Sequence, residues 1–171
     1  MTPAVSETVR EVEVFRQQAR MTHAVVRKNV EGVTQEESLI QPRPAGNCLN
    51  WVVGHLVCIY NQALPHLGQQ PVTEAGDLKR YDRGAPLLED PADALDIGKL
   101  MTGLDEATQR IDAGLAGLPA EALEQPVSNS PSGNPNETVR SFLTTIFFHQ
   151  SYHAGQTGVL RRIAGKEGAI R

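Results

Sequence analysis

The sequence predicts an all-α protein, a four-helix bundle. Four stretches repeat apolar residues at the period of one helix face, and no stretch shows the strict alternation of a half-buried strand. Polar connectors bearing Pro or Gly, roughly 34–46, 67–90 and 118–135, separate the four.

The first stretch runs from Val5 to Val33, with Val9, Val12, Phe15, Ala19, Val26 and Val30 on one stripe and Ser6 as candidate N-cap. In the second, Asn47 to His66, Asn47 can accept an early backbone N–H, and Leu49, Val53, Leu56 and Tyr60 share a face. Pro65 marks its end, because a proline removes a helix donor and clashes with the preceding turn. The third runs from Pro91 to Gly117, opened by Asp90 as cap with Pro91 in the first turn. Its stripe is Ile97, Met101, Leu104, Thr108, Ile111, Leu115 and Leu118. The fourth starts near Asn136 and ends at Gly165, a residue free to adopt the left-handed conformation that closes a helix. Arg161 and Arg162 suit the negative end of its dipole. The piece 128–137, "SNSPSGNPNE", is the most loop-like in the chain.

The 67–90 connector is long for a hairpin between adjacent helices. About ten extended residues cross a bundle of about 30 Å, so helices two and three can run parallel. With 171 residues the chain is expected to form a single domain over 1–171. A net charge of −4 with no basic stripe argues against nucleic acid and anionic membranes as partners. No apolar run is long enough to span a bilayer. Cys48 and Cys58 form no recognisable disulfide framework, and the first residues lack the apolar core of a secretory signal, so a cytoplasmic location is expected.

The chemistry concentrates in "FFHQSYHAGQTGVLRR". His149 and His153 are four apart and point the same way from a helix. They stand in the row Phe142, Ile146, His149, His153, Gln156, Leu160, so both face inward. Two readings follow: core histidines satisfied by hydrogen bonds, or two ligands of one metal ion. A zinc-protease mechanism is poorly supported, because the general-base glutamate of H-E-x-x-H is replaced by Gln150, an amide. A third ligand is then needed. His55, in the apolar "NWVVGHLVCIY", is either that ligand or a structural core histidine. His23 stands in a more polar helix and His66 at a helix end. Cys48 lies about two turns before His55, too far to share its metal, and Cys58 reads as a small apolar filler.

"NWVVGHL" in helix two and "HQSYHAGQTGVLRR" in helix four together resemble the DinB-like (DinB/YfiT) superfamily of metal-dependent enzymes. The matching positions are Trp51, Gly54 and His55, then His149, His153, Gly155 and Gln156. The resemblance implies a four-helix bundle of up-down-down-up topology, with a long crossover between helices two and three. It also implies a divalent metal ion held by His55, His149 and His153, and a homodimer. Many relatives carry a glutamate where this chain has Gln150; that position is not a ligand.

A three-imidazole site with an open position suits zinc, nickel or iron. Such a site supports either activation of water, giving a hydrolase, or deprotonation of a thiol. The second route gives a thiol S-transferase, an activity that the resemblance also implies, as does thiol-dependent isomerisation in one branch. Its partners would be a low-molecular-weight thiol and an electrophile. Transfer is favoured here because no carboxylate base stands beside the candidate ligands, although Asp105 or Glu106 could approach in the fold. A metal-binding, stress-associated protein without turnover is the reading from another class. Tyr152 and Gln156 are candidates for orienting a ligand or substrate; a hydrogen bond from Gln156 to a ligand histidine, and helix packing by Tyr152, are the plainer roles. Gly155 and Gly158 read as points of close helix approach.

Overall fold

Three of the helices begin where a side chain meets the first free backbone donors. In the computed structural model, residues 7–74, 76–128 and 133–170 are described. They form five α-helices and no strand: α1 (Glu7–Val30), α2 (Gln35–Ser38), α3 (Leu49–Ala63), α4 (Ile97–Ala116) and α5 (Val139–Ile163). The short α2 was not expected. Thr34 and Glu37 build a reciprocal capping box at its start.

Three expected starts move inward. Helix α3 begins after Cys48 rather than Asn47, with no side-chain cap. Asp90 does cap Pro91–Asp93, but only as a single 3₁₀ turn. The chain then extends through Ala94 because the Leu95 carbonyl accepts from Gln35 and Asn50, and the Leu95 N–H donates to Tyr81 Oη. Asp96 caps the true start of α4 through the Lys99 N–H. Likewise Thr138, not Asn136, caps α5, since it exchanges hydrogen bonds with Ser141 while bridging to Pro126. Ser6 and residues 129–132 of the loop-like piece lie outside the described residues. Gly165 closes α5 at φ +79° as expected, and Pro65 falls in the 3₁₀ turn Leu64–Leu67 that ends α3.

Most of the predicted stripe residues lie in the core; Val12, Met101 and Leu118 are partly buried against it, and the Val9 side chain lies outside the described residues. Phe15, Ala19, Val26 and Val30 of α1 are buried, as are Leu49, Val53, Leu56 and Tyr60 of α3 and Leu104, Ile111 and Leu115 of α4. Phe142, Ile146 and Leu160 supply the α5 side. Helix α1 packs on α4 and α5, and α3 packs on the same two, which makes a helical bundle. Along α1, Arg16 meets Asp112 and Arg27 meets Asp105 of α4, while Phe15 meets Phe147 and Asn29 meets Thr157 of α5. Along α3, the His55 ring meets His149 near the middle of the helix, and just past its C-terminal end His66 meets Phe142.

Glycine opens one contact that the site depends on. A Cβ on Gly54 would fall inside the ring of Tyr81, which is fully buried from the 67–96 segment. Gly158 similarly faces the Asn29 amide, at 3.4 Å from its would-be Cβ. Gly155 meets nothing within 4 Å, so it is not the close approach its sequence context suggests.

Candidate metal centre

Helix α3 is apolar over nearly its whole circumference, so it is buried on all sides. One of its faces carries Trp51, His55 and Cys58, at steps of four and three. Residues 80–82 lie along that face like a strap. Trp51 Nε1 donates to the Arg80 carbonyl at 3.0 Å, and His55 Nδ1 to the Tyr81 carbonyl at 2.7 Å. The Cys58 thiol approaches Asp82 Oδ1 at 3.9 Å. Trp51 also stacks on His55, centroids 4.6 Å apart and planes 17° from parallel. The imidazole is thus fixed in angle by the indole and in tautomer by a backbone carbonyl.

From α5, His149 and His153 meet it. His149 Nε2 lies 3.2 Å from His55 Nε2 and 3.1 Å from His153 Nε2. His153 Nδ1 donates to Gln156 Oε1, one turn on, at 2.6 Å. With Nδ1–H committed on both His55 and His153, their Nε2 lone pairs converge on the His149 ring. A single proton on His149 Nε2 can serve only one of them, and His149 Nδ1, buried, has no partner. A cation among the three nitrogens resolves the conflict. Ligand nitrogens about 2 Å from a tetrahedral ion lie about 3.3 Å apart, near the separations seen. The donor set therefore fits a metal such as zinc, and the three rings form a group able to hold one.

Electrostatics point the same way. Burial lowers the pKa of His55, and burial opposed by the Gln156 bond lowers that of His153. Burial, then repulsion from the other two rings and from Arg83, brings His149 down to about 4. All three are neutral at pH 7, the state in which imidazole binds metal. The rings open into a cavity of about 630 Å³ walled by Trp51, Val159, Leu160 and Ile163, with Arg83 and Tyr152 also on its lining.

The other sequence candidates fall elsewhere. Tyr152 is 59% exposed, edge-on to His153 with centroids 5.3 Å apart, so it lines the cavity instead of packing at a helix interface. Asp105 is held by His23 and Arg27 between α1 and α4, and Glu106 by Arg110; neither lines the histidine cavity. His66 packs edge-on against Phe142. Cys58, with burial and Asp82 pushing its thiol up to about 11, is protonated, and Cys48 is buried at the start of α3. Gln150 is 1% exposed and donates through Nε2 to the Leu56 carbonyl, tying α5 to α3 beside the rings. Residue patterns alone missed Tyr81 and Arg83. Their one signal is "KRYDRG", a lone aromatic in a polar connector, the mark of a loop that buries an anchor.

A helical bundle whose packed helices converge three neutral imidazoles on one point defines a class: helical proteins built around a candidate metal centre. This chain belongs to the DinB superfamily, whose family model matches residues 18–157. A solved structure described as a conserved protein of locus from Enterococcus faecalis shares the fold. It has a TM-score of 0.71 and 16% identity, covering 95% of this chain and 100% of that one. No curated protein matches the chain. Among the described residues, no helix is long and apolar enough to cross a membrane.

Proposed function

We propose that the protein is a divalent-metal-dependent thiol S-transferase with His55, His149 and His153 as the ligands. The observation that carries this reading is the convergence of three Nε2 atoms with two Nδ1–H groups already committed. When bound, the metal supplies a cationic centre that favours the deprotonated form of a thiol. The chain's own groups do the rest. The Tyr81 carbonyl and Gln156 Oε1 hold two rings in the ligand tautomer, and Trp51, Val159 and Leu160 give the cavity an apolar side against which the carbon chain of a thiol or electrophile can pack. Transfer is favoured over hydrolysis because no Asp or Glu among the described residues lines the cavity to serve as base for water.

Several finer points belong to the same reading. The chain is one bundle domain of up-down-down-up topology: residue pairs run in opposite order between α1 and α4 and between α3 and α5, and in the same order between α1 and α5. Zinc, nickel and iron all suit three imidazoles. A homodimer is supported by Phe148 of α5, which is 72% exposed and does not line the cavity. A cytoplasmic location is supported by two free, buried cysteines. The test is metal-loaded protein with monobromobimane and a panel of small thiols. Thiol-dependent consumption of the bimane, lost in His153→Ala, is expected. Cleavage of esters or amides without thiol would replace this reading with a hydrolase, and metal uptake without turnover would replace it with a binding protein.

A further inference from the structure

The Tyr81 carbonyl that accepts from His55 belongs to a residue whose side chain is gripped at its far end. Tyr81 is fully buried, and its ring lies over Gly54, the chain neighbour of His55. Its hydroxyl donates to Asn50 Oδ1 at 3.0 Å and accepts from the Leu95 N–H at 2.7 Å. Asn50 closes the triangle, since its Nδ2 donates to the Leu95 carbonyl at 2.8 Å. Gln35 of α2 reaches the same carbonyl at 3.2 Å and accepts from the Ile97 N–H at 2.8 Å, which ties the triangle to the starts of α2 and α4. Asn50 and Gly54 are four apart on α3 and share a face, and Asn50 is as fully buried as Tyr81. Helix α3 therefore holds one residue of the strap at its hydroxyl, along its ring and at its carbonyl.

From this geometry we infer that Asn50 and Tyr81, through its hydroxyl, are positioning residues for the histidine centre. They set where the Tyr81 carbonyl lies and, through it, the tautomer and angle of the His55 ring. A tyrosine has two side-chain torsions, so fixing the hydroxyl together with the ring fixes the main chain that carries the carbonyl. Stability alone does not call for the triangle. A buried hydrogen bond contributes little net, and apolar groups of the same shape in place of both partners can be nearly neutral. Apolar contact, however, is non-directional. Direction is what His55 needs: its Nε2 lone pair is turned to His149 Nε2, 3.2 Å away, only while Nδ1 keeps a proton for the Tyr81 carbonyl. This deepens the metal-centre reading and rests on it only for what His55 binds; the hold on the tautomer stands without metal.

Heteronuclear NMR of the histidine ring nitrogens tests it in metal-free protein, at a pH above the ordinary imidazole range so that the rings are neutral. Wild type, Tyr81→Phe, Asn50→Ala and Asn29→Ala are compared. Asn29→Ala removes a buried bond to Thr157 between α1 and α5 and serves as the control for general loosening. In wild type, His55 should be protonated at Nδ1 alone. Tyr81→Phe keeps the carbonyl and the ring and removes only the hydroxyl; in it, and in Asn50→Ala, the Nε2-protonated form of His55 should appear. The control should keep the wild-type shifts. Zinc affinity should fall about tenfold in the first two variants, and the visible bands of their cobalt-loaded forms should move. Unchanged His55 shifts in either triangle variant, or an equal change in Asn29→Ala, overturn the inference. Should Tyr81→Phe not fold, Asn50→Ala alone decides. Wild type that binds neither zinc nor cobalt overturns the metal reading instead, and the metal-free shifts still decide the roles of Asn50 and Tyr81.

Discussion

His23 and His149 both project from long helices into seams of the bundle, and their neighbours differ in kind. His23, between α1 and α4, places Nε2 2.7 Å from Asp105, whose other oxygen bonds Arg27. The same seam holds Arg16 and Arg20 against Asp112. His149, between α3 and α5, meets only imidazoles at its Nε2 and nothing at its Nδ1. One seam is charge-satisfied and partly exposed, so its histidine ties two helices together. The other leaves lone pairs converging with no donor sufficient for them. A histidine's role is set by what its second nitrogen meets, and position on an inward helix face does not decide it.

The largest expected contrast is in metal-linked stability. Zinc at about a thousandfold above its dissociation constant should stabilise wild type by about 4 kcal/mol. That gain should vanish in His149→Ala and persist in His23→Ala; thermal melts with and without zinc read it. Equal gains in both variants would erase the distinction between the seams.

Next comes the anchor of His55. Gly54→Ala drives a methyl into the Tyr81 ring and should cost about 3 kcal/mol by urea unfolding, with zinc affinity falling as the strap is displaced. A loss below about 0.5 kcal/mol would show that the strap gives way freely.

Acid should separate the seams in a third way. For His149 the ordinary pKa is 6.5 and burial among like rings depresses it to about 4 in the folded chain. The unfolded chain therefore binds a proton first, and metal-free protein should lose on the order of 2 kcal/mol as pH falls from about 6.5 to 4. Asp112 is depressed by the Arg16 guanidinium, so its contribution is present above the ordinary carboxylate range and is lost only at lower pH. Denaturation midpoints of His149→Gln should show a weaker upper limb and an unchanged lower one.

The smallest effect belongs to the exposed pairs. Asp105→Asn should cost under about 1 kcal/mol, because Asp105 and Arg27 are 30% and 58% exposed, and zinc content should stay as in wild type.

The helical stripes were legible because burial and period coincide: Phe15, Val53, Ile111 and Phe142 are inward by spacing alone and buried in fact. The three histidines were legible for the same reason, aided by the family resemblance. Helix starts were less so. Asp90 and Asp96, or Asn136 and Thr138, are equally able caps in isolation, and the choice is made by contacts distant in sequence, such as those that hold Leu95 extended. Tyr81 was hidden because its hold on His55 runs through a backbone carbonyl, which every residue type possesses. Arg83 was hidden because a turn, not a periodic pattern, decides which cavity it lines.

That main-chain hold has an evolutionary consequence. Trp51 and His55 grip the peptide groups of Arg80 and Tyr81, so those contacts do not depend on which side chains the strap carries at neighbouring positions. A substitution at residues 80–82 that leaves the main chain in place therefore leaves both acceptors in place. The fold thereby assigns the orientation of a ring to carbonyl groups that point substitutions in the strap do not remove.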